Sequence, residues 1–308
     1  MRHLLSLFDL KREEIEELFR LSTQLKDQCQ RGIRRPLLAG RVMGLLFSKP
    51  SLRTRVSFEA GMAHLGGQSL YLGQDVGWRS RESTADFARV LSQFTDVIVC
   101  RTHRHEEVEE LAHFSSCPVI NGLTNRSHPC QALADVLTLQ ELRGNLDGAK
   151  MVFVGDGNNV SRSLAIGCAR LRMPFVLACP PGYELERPFV ERLRAEVPQV
   201  DFQMTHDPFD AVKGAAAVYT DVWSSMGQED ESEQRRKDFA NYQVNSALMR
   251  AAPRDAIFLH CLPAKRGEEV TDEVLDGPQS QVVAQAANRM HIQKGILVWL
   301  LGVADQVG

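Results

Sequence analysis

Phe47-Ser48-Lys49-Pro50-Ser51-Leu52-Arg53-Thr54-Arg55 is the stretch from which the fold can be read. The apolar run over 42–47 predicts a short buried strand, and Pro50 stops it before 52–65 takes up helical spacing closed by Gly66-Gly67. Ser51 stands where a helix N-cap belongs. A helix start leaves backbone N–H groups unpaired and carries partial positive charge, so Arg53, Thr54 and Arg55 added there suit a compact dianion such as phosphate. Taken alone, the same residues also describe an ordinary capped helix with two solvated arginines.

Working outward, the pattern of strand then helix repeats. A helix over 10–29 carries Ile15, Leu18, Phe19, Leu21 and Leu25 on one face. After the opening strand and helix come a strand at 69–72, a polar loop over 73–82, a helix over 83–94 and a strand over 96–100 ending at Arg101. A strand over 118–120, stopped by Asn121-Gly122, precedes a helix from about 129 to 142. The tract Arg143-Gly144-Asn145-Leu146-Asp147-Gly148 is polar and turn-forming, the best domain boundary in the chain. Beyond it a second series begins with a strand over 151–154, a glycine turn and a helix to 171. Further strands are predicted over 175–178, 201–204, 216–220, 257–260 and 282–284. Alternation of this kind implies an α/β fold: two doubly wound domains, each a mainly parallel sheet covered by helices, joined by interdomain helices. Ligands of such sheets bind beyond the carboxyl ends of the strands, where Arg53, Arg101 and His128 fall.

The chain has 308 residues, 44% of them hydrophobic, enough for two cores. Its formal charge is −3, so no general basicity draws it to nucleic acid or to a membrane, and any anion site must be local. No apolar run reaches membrane-spanning length, and Met1-Arg2-His3 leads into a charged amphipathic segment rather than an apolar signal core; the expectation is a cytoplasmic protein. The seven cysteines are scattered without C-x-x-C spacing, which disfavours a disulfide framework or structural zinc. Around His260-Cys261-Leu262-Pro263 no second histidine or cysteine stands at metal-ligand spacing either, so no metal and no cofactor is expected. Cys261 at a strand end suits a nucleophile, a substrate contact or an inert buried thiol. His128 and Gln131 lie three residues apart at a helix start, on one face, a geometry that suits polarising a carbonyl. Gly155-Asp156-Gly157-Asn158-Asn159-Val160 invites a dinucleotide reading and hence a nicotinamide oxidoreductase. The third glycine position is Val160, however, and the acidic partner expected about twenty residues further on is missing.

Ser51-Leu52-Arg53-Thr54-Arg55, His128-Pro129-Cys130-Gln131, Asp221-Val222-Trp223-Ser224-Ser225-Met226-Gly227, His260-Cys261-Leu262-Pro263 and Asn288-Arg289-Met290-His291 resemble, in this order, the motifs of the ornithine carbamoyltransferases. The resemblance implies transfer of a carbamoyl group from carbamoyl phosphate to the δ-amino group of L-ornithine, giving L-citrulline and phosphate, as in arginine biosynthesis. It implies a carbamoyl phosphate-binding domain over 1–143, onto which a terminal helix of about 290–308 packs back, and an ornithine-binding domain over 144–289. Ser51, Leu52 through its backbone N–H, Arg53, Thr54 and Arg101 would hold carbamoyl phosphate. His128, Gln131, Cys261, Leu262 and Arg289 would join them at its carbamoyl end. Asn159, Ser225 and Met226 would hold the α-amino and carboxylate end of ornithine, with Asp221 and Cys261 near its δ-amine. Arg101, His128, Asp221 and Cys261 would carry the catalysis. A homotrimer, or a multiple of it, is also implied, with the 73–82 loop reaching a neighbouring site. That loop departs from the family pattern, and its Trp78 resembles the N-acetylornithine enzymes, so N-acetylornithine and putrescine stand as alternative amines. Ser225-Met226-Gly227 and the run Pro263-Ala264-Lys265-Arg266-Gly267-Glu268-Glu269 resemble the ornithine type, and an acidic Asp221 is ill placed for aspartate.

Overall fold

The computed structural model describes residues 1–224 and 229–308, the side chain of Glu229 excepted. It divides into two compact units: Met1–Ala134 with Ala287–Gly308, and Asp135–Ala286.

In unit 1 the strands β1 (Val42–Phe47), β2 (Gln68–Leu72), β3 (Val97–Arg101) and β4 (Val119–Leu123) form a parallel sheet in the order β2-β1-β3-β4. The inner strands β1 and β3 are almost continuous apolar runs, as strands covered on both faces must be, whereas edge strand β2 reads Gln-Ser-Leu-Tyr-Leu and is largely exposed. The other edge is closed by the N-terminal segment: Leu4 N–H donates to Val119 O (2.9 Å) and Leu4 O accepts from Asn121 N–H (2.8 Å). The helices are α1 (Arg12–Gln30), α2 (Leu52–His64), α3 (Thr84–Phe94), α4 (His105–Phe114) and the start of α5 (Pro129–Arg143). Ser51 and Ser83 cap α2 and α3 through their hydroxyls.

Unit 2 repeats the plan. Its parallel sheet runs β7-β6-β5-β8-β9, from β5 (Met151–Val154), β6 (Phe175–Ala178), β7 (Phe202–Thr205), β8 (Ala217–Thr220) and β9 (Ile257–His260). Between the strands lie α6 (Asn159–Arg170), α7 (Arg187–Glu196), α8 (Pro208–Ala211), α9 (Ser232–Asp238) and α10 (Ser246–Ala251), and after β9 come α11 (Asp272–Leu275) and α12 (Val282–Leu300). The chain passes from unit 1 to unit 2 within α5 and returns within α12.

Two elements correct the expectations. The strand expected over 282–284 is the first turn of α12; Val282-Val283-Ala284 is too short an apolar run for periodicity to separate strand from helix. Strand β4 does not stop at Asn121-Gly122 but runs through them to Leu123, past a register shift between Cys100 and Arg101. Asn121 can stay in a buried strand because its side-chain amide donates to Leu5 O (2.9 Å) and Ser127 O (3.3 Å).

Candidate active site

Both sheets reverse their winding once, between β1 and β3 in unit 1 and between β5 and β8 in unit 2. The residues singled out by sequence gather beyond the carboxyl ends of those strands, where crevices open in folds of this type.

In unit 1 the centre is Thr54, in the first turn of α2 and fully buried. Its hydroxyl oxygen accepts from Arg289 Nη2 at 2.8 Å and from Arg101 Nη1 at 3.2 Å. Arg101 ends β3, Arg289 lies in α12, and both are more than nine-tenths buried. Two buried cations converging on one neutral hydroxyl at a helix start create a strong local preference for an anion. His128, just before α5, is buried alongside them, and its pKa lies well below the ordinary histidine value, first through burial and then through the charges of Arg289 and Arg101. The imidazole is therefore neutral at physiological pH and acts as a hydrogen-bonding group rather than a cation. Its loop is fixed by Thr124, whose backbone N–H donates to Ser127 O (2.9 Å) and whose hydroxyl contacts His105 Nδ1 (2.8 Å). Gln131, one turn into α5, is buried as well.

Ser51 caps α2 by accepting from Thr54 N–H (3.4 Å), Arg53 is half-buried in the same turn, and the Leu52 side chain is 75% exposed, which leaves its backbone N–H as its only polar offering there. Arg55 is engaged elsewhere, paired with Glu59 (3.0 Å) and stacked on the Tyr71 ring (3.8 Å). The 73–82 loop is anchored within unit 1. Gln74 Nε2 donates to Ser48 O (2.7 Å), Trp78 packs against Phe87 with ring centroids 6.2 Å apart, and Arg79, with a left-handed φ of 64°, pairs with Glu107 (2.5 Å). Glu107 is buried and also accepts from the Thr102 hydroxyl, next to Arg101.

In unit 2 the carboxylate of Asp221, immediately after β8, organises the constellation. Its Oδ1 accepts from Cys261 Sγ (3.1 Å) and from Val222 N–H (2.8 Å), and its Oδ2 from Asn158 Nδ2 (3.1 Å). Asn158 also caps α6, its Oδ1 accepting from Val160 N–H (2.9 Å) and Ser161 N–H (3.0 Å); Asn159 follows as the first helical residue, half-buried. Ser225 and Met226 lie outside the described residues. Cys261 and Leu262 are held from behind. His260 Nδ1 accepts from Leu262 N–H (2.9 Å), which supports the left-handed φ of 57° at Leu262, and His260 Nε2 faces Glu269 (3.2 Å), both side chains fully buried. His260 N–H donates to Gln285 Oε1 (2.9 Å), and Gln285 Nε2 donates to Asp135 (2.6 Å). Asn158, Glu269 and Gln285 were not legible as site residues: each acts on a neighbour, and no motif spacing announces that.

Asp221, His260 and Cys261 each bring one potential ligand atom within 4.8 Å of the others, so space assembles a group that spacing along the chain does not show. As a metal site it would need rearrangement. The Nδ1 lone pair of His260 is used by Leu262 N–H, which leaves Nε2 as the protonated nitrogen facing Glu269. The glycine turn has a packing reason rather than a dinucleotide one: a Cβ on Gly157 would stand 2.7 Å from the Glu184 backbone.

The chain is similar along nearly its whole length to proteins of one family. Residues 2–141 match the aspartate/ornithine carbamoyltransferase carbamoyl-P binding domain and residues 147–300 the Asp/Orn binding domain of the same family. The chain is 52% identical over 304 residues to an ornithine carbamoyltransferase of Carboxydothermus hydrogenoformans, covering 98% of each. The structure of ornithine carbamoyltransferase from Pyrococcus furiosus superimposes with a TM-score of 0.95 at 48% identity, covering 98% of this chain and 97% of that one. The Thermus thermophilus enzyme gives 0.88 at 42%, covering 98% and 99%. With both family domains matched in order and relatives near half identity along almost its whole length, this chain belongs to the aspartate/ornithine carbamoyltransferase family.

Proposed function

We propose that the protein transfers the carbamoyl group of carbamoyl phosphate to the δ-amino group of L-ornithine, releasing L-citrulline and phosphate. The observation that carries this reading is the junction at Thr54, where Arg101 and Arg289 meet beside a neutral, buried His128. Relatives at about half identity are named ornithine carbamoyltransferases, among them an anabolic one from Pyrococcus furiosus at 48% identity, which favours ornithine over N-acetylornithine or putrescine and a biosynthetic role.

The chemistry follows from the residue types. Arg53, Arg101 and the first N–H groups of α2 hold the phosphate and stabilise its charge as the C–O bond breaks, so no metal is invoked. Gln131, the Leu262 backbone and neutral His128 hold the carbamoyl group; His128 donates to the oxygen on which charge develops, while Arg289 supports the same field. The amine must be neutral to attack, yet an alkylammonium has a pKa near 10 or so. Asp221 accepts from the Cys261 thiol, and the pair is suited to orient the δ-amine and take up its proton. Cys261 serves as a polar contact, and no covalent carbamoyl-enzyme is required. Asn159, Ser225 and Met226 grip the α-amino and carboxylate end. Holding both reactants in order removes much of the entropic barrier.

A homotrimer of cytoplasmic chains completes the proposal. Leu52, Val56, Leu70, Val90 and Phe94 are large apolar side chains exposed on α2, edge strand β2 and α3, a distribution that suits cover by a second copy. Among the described residues no helix is long and apolar enough to cross a membrane. The test is a carbamoyl-transfer assay across ornithine, N-acetylornithine, putrescine and aspartate: citrulline formation is expected to dominate, and preferential turnover of another amine would overturn the assignment.

A further inference from the structure

One buried carboxylate in unit 2 has no assigned part in the reaction. Glu269 lies between the turn after β9 and α11, fully buried, and among the described residues neither a lysine nor an arginine pairs with it. Keeping a carboxylate away from both water and a cation lowers stability, and its neighbours show what it does there. Its backbone is fixed from outside the turn, Val244 N–H donating to Glu269 O at 2.8 Å. Its Oε1 accepts from Lys265 N–H (2.6 Å) and faces His260 Nε2 (3.2 Å), so one oxygen ties together both ends of the turn that carries Cys261 and Leu262. His260 is held at its backbone too: Gln285 accepts its N–H (2.9 Å) and donates to Asp135 (2.6 Å) and the Tyr219 hydroxyl (3.2 Å), all three fully buried.

Cysteine, histidine and glutamate this close would suit a nucleophilic triad, but both ring nitrogens of His260 are engaged and the thiol donates to Asp221 instead. The duty of the imidazole is a different one. Leu262 has a left-handed φ of 57°, a conformation that a residue with a branched side chain keeps only where its surroundings hold it, and what holds it is the bond from its N–H to His260 Nδ1 (2.9 Å). That bond exists only while Nδ1 is an acceptor, which places the ring's proton on Nε2, opposite Glu269. A glutamine would fill the same space with no charge to desolvate. Its amide, however, carries donors as well as an acceptor, and turned about it would meet Nε2 with an N–H and favour the other tautomer. A carboxylate, which only accepts, admits one tautomer alone. With its N–H spent on His260, Leu262 has its carbonyl left to offer a ligand. We infer that Glu269 is a positioning residue of the proposed carbamoyl transfer: acting through His260, it fixes the tautomer that holds the Leu262 N–H and so sets the Cys261 thiol and the Leu262 carbonyl in place for the substrates. The inference rests on that reading of the reaction.

The experiment compares the parent with Glu269→Met, Glu269→Gln, His260→Asn and His260→Gln by two readouts. The first is deuterium exchange of the free protein, read by mass spectrometry in overlapping peptides across 258–266, which reports the Leu262 amide without any substrate. Exchange there is expected to quicken at least roughly tenfold in Glu269→Met and His260→Gln while the rest of the chain keeps its protection. In His260→Asn the side-chain oxygen stands where Nδ1 accepts, so protection is largely retained, and Glu269→Gln, which keeps Oε1, lies between. The second readout is kinetic. In Glu269→Met, kcat is expected to fall at least roughly tenfold and the KM for ornithine to rise about fivefold or more, with carbamoyl phosphate affinity, carried by the Thr54 junction, near that of the parent; a smaller folded fraction would lower kcat alone. His260→Asn should retain more activity than His260→Gln. Parental exchange at Leu262 or an unchanged ornithine KM in folded Glu269→Met would overturn the inference. So would loss of protection throughout the chain, or His260→Asn faring no better than His260→Gln. Failure of the parent to form citrulline would instead overturn the proposed reaction, whatever the exchange shows.

Discussion

At Thr54 a single hydroxyl group receives two guanidinium groups, so its loss should be felt in binding rather than in folding. Thr54→Val keeps the shape and removes the acceptor. With hydrogen bonds to charged groups contributing about 1.5–3 kcal/mol, carbamoyl phosphate affinity is expected to fall at least roughly tenfold with little change in melting temperature. Calorimetric titration of carbamoyl phosphate checks this, and unchanged affinity would remove Thr54 from its central place. Asn158 has two duties, capping α6 and bonding Asp221. Asn158→Ala should lower stability by about 1 kcal/mol, the usual value of a cap, and raise the KM for ornithine. Asn158→Ser, which keeps capping ability but not the reach to Asp221, should recover stability without recovering KM. If both variants behave alike in KM and in denaturant midpoint, the two duties are not separable.

Among the elements, α9 depends on one buried charge. Arg235, 6% exposed, pairs with Asp156 (2.7 Å), donates to Trp223 O (3.0 Å) and lies over the Tyr183 ring. Removing it leaves Asp156 uncompensated in a place where burial already raises that carboxyl's pKa. Arg235→Met is expected to cost about 3–5 kcal/mol, and adding Asp156→Asn should restore part of it, a coupling that a double-mutant cycle in urea measures directly. How much of such elements could be read beforehand varied with their burial. Runs such as Val42 to Phe47 and Ile257 to His260 declare themselves, because a strand covered on both faces needs apolar residues at every position. Val282-Val283-Ala284 misleads, being apolar and short at the start of a helix, and Asn121-Gly122 misleads because a turn signal was neutralised by tertiary hydrogen bonds. In the candidate site, His128, Asp221 and Cys261 stand in motifs that the sequence shows, and Arg101 at the end of a strand that it predicts. Asn158, Glu269 and Gln285 were not legible, since only the folded chain brings them to the groups they hold.

For the molecule as a whole, buried neutral histidines make stability depend on pH in a known direction. His291 is held down to about 3, from an ordinary 6.5, by burial and by Lys294, Lys26 and His64. The unfolded chain therefore binds a proton below about 6.5 that the folded chain refuses until about 3, so stability is full above that window and falls through it as acid is added. The slope should approach about 1.4 kcal/mol per pH unit from this residue alone. Urea midpoints compared at neutral and mildly acidic pH should converge for the parent and His291→Phe as pH falls; parallel curves would show that His291 titrates normally. Unit 1 is built from segments on both sides of unit 2, and this order governs how the chain can be made. Asp135–Ala286 is continuous and can close as soon as it is translated. Met1–Ala134 cannot, because Arg289 for Thr54, Asn288 for Lys26 and Val307 O for Gln28 are translated only after all of unit 2. Unit 2 thus carries all its segments in one continuous stretch, whereas the meeting of Arg289 with Thr54 must wait for the final segment of the chain, so a chain cut short after Ala286 would lack that junction.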